Sequence, residues 1–365
     1  MSAPSPSVLS RRQANLQQRA LQLLWLALTL SALGRGWLHF TKDRPYWSLF
    51  WSEELLSPPL GLVGVSWESY VESASTEATL TTLTALLGVL FLLLSGLFAH
   101  ATSGALSPEG APHATPFMRR ALWLLFGLQL FYVSTYWFGH SMYLPIWLEQ
   151  GVQLSLPWLC LKVGFYEQEC EGDVEGARDE EREPQERPHL LELRTPPPAF
   201  IAPPSRQTAE HLSPSGLYLS RLPIKVAALA LSTTFIGHGL YALGVYPIPG
   251  DFQLMLMRTL NCSQQTAITL LWWAGIFDVI AALAVWTPRR YLRVRWAALA
   301  YMLLWGTLTA FARVWGHWGM GTLSEVVWHW VPELILRLPH ALLAWWLLTL
   351  EGGVRPHWRA ERPHL

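Results

Sequence analysis

The chain has 365 residues, of which 51% are hydrophobic and only 14% charged; 21 are tryptophan and the formal net charge is zero. That composition excludes an ordinary soluble domain, and the absence of a basic excess argues against nucleic acid as a partner. Cys160, Cys170 and Cys262 lie far apart without paired spacing, so neither a disulfide frame nor a metal site is implied.

Apolar runs long enough to cross a bilayer recur along the chain. They fall near 21–40, 78–99, 121–138, 146–163, 222–245, 266–286, 296–316 and 325–349. The first carries Ser31, Ala32 and Gly34, which imitate a signal cleavage site, but the repeat described below makes it a core helix. The fourth is short and contains Pro157. If all eight runs cross, Arg11, Arg12, Arg19, Arg119, Arg120, Arg289, Arg290, Arg293, Arg295, Arg355, Arg359 and Arg362 share one side. Positive charge marks the cytoplasm, so both termini are expected there, in the cell inner membrane. The opposite side holds Glu53, Glu54, Glu68, Glu72 and Glu77.

Between the fourth and fifth runs the pattern changes. An acidic stretch through Glu180, Glu181 and Glu183 passes into the prolines Pro196, Pro197, Pro198, Pro203 and Pro204. Such a segment buries too little apolar surface to offset its ordering entropy, and reads as a disordered cytoplasmic connector. The predicted organisation is a first four-helix membrane unit over 1–165, a linker over 166–220, a second four-helix unit over 221–350 and a tail over 351–365.

The blocks flanking the linker align with one another. Gly34-Arg35-Gly36 answers Gly237-His238-Gly239, and Gly88-Val89-Leu90-Phe91 answers Gly275-Ile276-Phe277-Asp278. Trp137-Phe138-Gly139-His140 answers Val314-Trp315-Gly316-His317, and Leu154-Ser155-Leu156-Pro157 answers Leu336-Arg337-Leu338-Pro339. Four matches in the same order, one per helix, predict an all-α membrane protein of eight transmembrane helices built as two parallel four-helix repeats.

The eighth run carries a ladder. Glu325, His329, Glu333, Arg337 and His340 are spaced four, four, four and three apart, which places them on one helix face. Each charge at mid-bilayer costs roughly 2.5–3.5 kcal/mol on insertion scales, so this face must turn inward and find partners. The first copy is the control: opposite Asp278, Arg313, Glu333, Arg337 and His340 it has Phe91, Tyr136, Gly151, Ser155 and Trp158, and Trp147 opposite His329. Only the Arg35/His238 and His140/His317 positions stay polar in both. Helix depth pairs Asp278 with Arg337 near mid-membrane, Glu333 with His238 above them, and Arg313 with Glu325 or His329 at the mouth. Scaffold and function remain open for the Asp278–Arg337 pair.

Phe235-Ile236-Gly237-His238-Gly239, then Gly275-Ile276-Phe277-Asp278 followed by Arg289, resemble the DoxX/DoxD-like four-helix membrane proteins, over about residues 221–350. In that family a glutamate stands where this chain has Asp278. The resemblance implies a four-helix membrane module, of which some relatives are subunits of quinone-linked sulfur oxidation. The ladder is not a hallmark of the family.

The leading expectation is a non-enzymatic or accessory multi-pass protein with a charged intramembrane cavity in the second repeat, holding a quinone-like or small anionic molecule. Its candidate residues are His238, Asp278, Arg313, His317, Glu325, His329, Glu333, Arg337 and His340, with no metal assigned. Two other classes stay open: a quinone-linked oxidoreductase subunit, with His238, Asp278 and Glu333 handling protons, and a proton-coupled transporter using the ladder as a relay. Quinone or haem is open as a cofactor, haem through His238 with His317 or His329. The partners expected are the lipid bilayer and a membrane redox protein or a second copy of the chain.

Overall fold

The structure is a computed structural model that describes residues 6–41, 45–104, 115–139, 142–164 and 221–353. The expected linker, His140 and all but the first residues of the tail lie outside the described residues. Every regular element in the described residues is helical. In chain order these are α1 (Pro6–Thr41), the short α2 (Trp47–Phe50), α3 (Glu53–Leu62) and α4 (Trp67–Val71), then α5 (Ala74–Gly104) and α6 (Pro116–Gly139). There follow α7 (Leu144–Glu149), α8 (Gly151–Gly164), α9 (Arg221–Ala242), α10 (Gly250–Leu260), α11 (Gln264–Ala284), a 3-10 turn (Arg289–Tyr291), α12 (Leu292–Trp315) and α13 (Leu323–Gly353).

Among the described residues, six segments are long and apolar enough to cross a membrane: Gln18–Thr41, Ala74–Ser103, Pro116–Gly139, Gln264–Ala284, Leu292–Trp315 and Leu323–Glu351. Two of the eight expected spans differ. The run over 146–163 is divided, because the helix stops at Glu149 and restarts at Gly151. The run over 222–245 forms the 22-residue helix α9, but Lys225, Ser232, Thr233, Thr234 and His238 reduce its apolarity, and it is not among the six. Apart from Lys225, which is exposed, these polar groups are tolerated because α9 packs between other helices. Ser232, for example, is buried, accepting from the Trp286 indole at 2.8 Å and donating to the Ala282 carbonyl at 2.9 Å.

The two halves interlock. α1 packs on α5 and on α13, the last helix of the chain, while α9 packs on α11 and on α7 and α8 of the first half. α12 lies against α13, and α6 against α7 and α8. Glycine permits both crossings between halves. A Cβ on Gly34 would fall 2.7 Å from the backbone nitrogen of Leu336, and one on Gly237 would fall 2.9 Å from that of Glu149. Helices approach this closely only where one of them lacks a side chain.

At one end of the bundle the interior is dry. Leu24, Trp25, Leu28, Leu122, Leu125, Leu156 and Leu159 are each no more than 1% exposed. A long contact from the Cys160 thiol to the Leu24 carbonyl, and another from Arg35 to Gln150, show α1 and α8 running antiparallel. Outward, Leu86, Leu93, Phe277, Ile280, Leu283, Leu304 and Phe311 are all more than half exposed. An apolar mantle of that extent suits lipid and not water. The chain is a multi-pass membrane protein.

Gly237→Val should be strongly destabilising, because its side chain would meet the Glu149 and Pro145 backbone. Overpacking of this kind costs about 1–3 kcal/mol. Thermal unfolding in detergent should show a clear fall in midpoint; an unchanged midpoint would disprove the close crossing.

Candidate functional site

The division between α7 and α8 creates the site. Around Gln150 the backbone leaves the helix, and the Thr234 hydroxyl of α9 spans the gap. It donates to the Glu149 carbonyl and accepts from the Val152 amide, both at 3.3 Å. One side chain thus serves two backbone groups that the interrupted helix leaves without partners. The result directs Glu149 and Gln150 into the space between the halves.

That space is a cavity of about 690 Å³. Its walls come from the C-terminal ends of α1, α6, α9 and α12, from α7, and from the middle of α13. Arg35, Tyr132, Tyr136, Glu149 and Gln150 contribute from the first half, and Tyr241, Phe252, Arg313, Glu333 and Arg337 from the second. Tyr143, Pro247, Pro249 and Asp251 line it from the connecting segments and the start of α10, and Asp251 and Pro247 are exposed there. The cavity is therefore built from both halves, and its expected confinement to residues 221–350 is corrected.

Polar side chains pair across its walls. Arg313 and Glu333 form an ion pair at 3.1 Å, both side chains largely buried. The Arg313 guanidinium also lies 5.5 Å from the centre of the Phe252 ring. Arg35 donates to Gln150 Oε1 at 3.1 Å and sits 3.6 Å over the Tyr132 ring, a cation–π contact. The Nδ1–H of His39 donates to the Arg35 carbonyl at 2.7 Å, one turn further along α1.

Behind Arg337 stands His238. Arg337 donates to His238 Nε2 at 3.4 Å, and Glu149 Oε1 lies 3.6 Å from the same nitrogen. His340 follows, its ring centre 5.9 Å from that of His238, and its Nε2 is 3.0 Å from Gln153 Nε2. An amide nitrogen only donates, so His340 accepts at that atom.

The nine residues expected to form the site separate into three groups. Arg313, Glu333 and Arg337 line the cavity, and His238 and His340 stand directly behind it. The other four lie elsewhere. Asp278 does not pair with Arg337; it is 2% exposed and accepts from the Tyr301 hydroxyl at 2.8 Å, between α11 and α12. Glu325 is exposed and closes a capping box at the start of α13. Its Oε2 accepts from the Thr322 amide at 2.7 Å, and its own amide donates to Thr322 Oγ1 at 3.3 Å. His329 is half-buried outside the cavity lining.

His317 is stacked on Trp330 with ring centres 3.3 Å apart, and its Nδ1–H donates to the Arg313 carbonyl at 2.7 Å. Burial holds its imidazole below the usual histidine range. The depth-based pairings thus give way to Arg313 with Glu333, His238 with Arg337 and Glu149, and Asp278 with Tyr301. No group of three or more metal-ligating side chains is found among the described residues.

Glu149 is the residue that the expected site lacked. It is the sole acid between Arg120 and Lys162, which was a signal available in the sequence. In the sequence Arg35 and Tyr136 stand out only as the counterparts of His238 and Arg313, and Tyr132 and Gln150 give no signal.

Residues 232–323 match the model of the DoxX-like family. The match gives the second half of the chain a DoxX-like character from within α9 to the first residue of α13. It takes in His238, Asp278, Arg313 and His317, and stops short of Glu333, Arg337 and His340. No curated protein and no solved structure matches the chain.

Glu333→Ala should destabilise the protein by about 3–5 kcal/mol, since it strands a buried guanidinium. Replacing both partners, Arg313→Met with Glu333→Leu, should recover most of that loss. Thermal unfolding in detergent measures both; a single variant as stable as the parent would show that the pair is not buried in a common site.

Proposed function

We propose that this membrane protein binds a small flat molecule, bearing an anionic or quinone-type oxygen, in the cavity between its halves. Arg337 carries the reading. Its guanidinium has five donors and lines the cavity, yet its hydrogen bond among the described residues is to one imidazole nitrogen. A carboxylate, phenolate or quinone oxygen would engage the remaining donors in the fork geometry that arginine favours.

The rest of the wall agrees. Three arginines face two glutamates inside, and Asp251 sits exposed at the rim. Tyr132, Tyr136, Tyr241 and Phe252 supply aromatic surface for a planar body. The volume lies within the range usual for small-molecule sites, roughly 300–1,000 Å³. Beyond His340 and Gln153 the interior passes to the apolar core around Leu24, Leu28, Leu125 and Leu156. A blind cavity of this kind favours a binding or accessory role over a permeation path. The second reading is a subunit of a quinone-linked oxidoreductase, favoured by the cluster of Glu149, His238 and His340 beside the cavity.

The same proposal includes the architecture. The halves are two four-helix repeats, with α7 and α8 serving together as the fourth helix of the first. Glycine neighbours support this: Gly36 faces Phe91 and Leu92 as Gly239 faces Asp278 and Val279, and Gly88 faces His39 and Phe40 as Gly275 faces Ala242 and Leu243. Each pair keeps the register of the sequence repeat. The distribution of arginines supports a cytoplasmic location for both termini.

Calorimetric titration of the purified protein with 2-hydroxy-1,4-naphthoquinone, a flat quinone ionised at neutral pH, tests the function. Binding is expected, with a loss of about tenfold or more in Arg337→Gln, equivalent to ~1.4 kcal/mol. Benzoate and neutral 1,4-naphthoquinone, as separate arms, tell the anion from the quinone ring. Failure of all three to bind would overturn the proposal.

A further inference from the structure

We infer that filling the cavity with an anion draws one proton onto the His238–Glu149 pair, so that the protein binds anion and proton together. The inference rests on the ligand reading above and adds to it a coupled ion.

The argument begins at one nitrogen atom. His238 Nε2 has two neighbours, Arg337 at 3.4 Å and Glu149 Oε1 at 3.6 Å. An arginine side chain only donates, so in this contact Nε2 accepts and carries no proton. A carboxylate only accepts, so the same nitrogen satisfies Glu149 only when it does carry one. The two contacts exclude each other. In agreement, Glu149 Oε1 is a buried oxygen without a hydrogen-bond donor among the described residues. In this structure Arg337 is served at that nitrogen and Glu149 is not.

An anion in the cavity reverses the choice. When Arg337 turns its donors to the ligand, the lone pair of His238 Nε2 is released. One proton from solvent, reaching the pair through Glu149 in the cavity wall, binds at Nε2, and the new N–H donates to Glu149 Oε1. No bond between heavy atoms changes; the anion and the proton enter together and their charges cancel.

The groups around His238 leave this as the vacant place for a proton. Glu149 comes from α7, and Arg337 and His340 from α13. Arg313 of α12 lies within electrostatic reach but is occupied by Glu333. His340 Nε2 is taken by the Gln153 amide. Asp278 of α11 is turned to Tyr301.

Titration of 2-hydroxy-1,4-naphthoquinone into the full chain, in buffers of different ionisation enthalpy, reads the protons taken up per ligand bound. About one is expected for the parent, and affinity should rise about tenfold for each unit the pH falls while the probe stays ionised. His238→Gln and Glu149→Gln should bring the proton count close to zero, whatever their effect on affinity. Binding without proton uptake in the parent would overturn the coupling and leave the ligand reading intact. Uptake that persists in His238→Gln would place the proton elsewhere and overturn it too. Absence of binding would remove the ligand reading and the coupling with it.

Discussion

Everything at the centre of this molecule depends on one constraint: charged side chains inside an apolar bundle must find partners there. Arg35, Arg313, Arg337, Glu149 and Glu333 all face a single cavity, and no one helix supplies a complete set. Arg313 obtains its counter-charge from α13, and Glu149 of the first half lies against His238 of the second. The cost of leaving any of these groups unpaired in lipid is several kcal/mol, so the pairing acts as a strong preference for one packing of the two halves. In this sense the cavity is also a fastening.

That fastening can work only because the helices that bear it come close. Gly34 and Gly237 remove the side chains that would hold α1 from α13 and α9 from α7. The Thr234 hydroxyl then repairs the backbone where α7 stops, which is what allows Glu149 and Gln150 to enter the cavity at all. At the other end of the bundle the same helices meet mainly through leucine, alanine and tryptophan. The molecule is thus divided lengthwise into a polar end that holds the cavity and an apolar, closely packed end.

Much of this was legible in the sequence, and the failures have physical causes. Hydropathy found the helices, because an apolar run of bilayer length leaves the backbone few alternatives. It could not find the break at Gln150, which depends on a hydroxyl from a helix more than eighty residues away in the chain. The ladder on α13 picked out Glu333 and Arg337, which line the cavity, and His340, which stands behind it, since the 3.6-residue period fixes which residues share a face. Depth alone could not choose their partners. Counting along the helices predicts a shared level for Asp278 and Arg337, yet Asp278 faces the gap between α11 and α12, where Tyr301 meets it. Glu325 shares the ladder's spacing, but its position at the first turn makes it a cap. A helical face says which side chains are neighbours along one helix, and nothing about how that helix is rotated against the next.

The asymmetry between the halves acquires a meaning from this geometry. On the proposed repeat, Arg35 and His238 are equivalent positions, and each meets a polar residue on or beside α7: Arg35 meets Gln150, and His238 meets Glu149. The first copy keeps a permanent cation, held over Tyr132 and bonded to an uncharged amide. The second copy puts a titratable ring at the same place, between a carboxylate and a guanidinium. A duplicated module that kept both positions alike would have two fixed cations or two histidines, and no gradient between them. Divergence instead sets a fixed charge on one side of the cavity and an adjustable one on the other, which is the arrangement a site needs if it is to hold an anion and respond to its arrival.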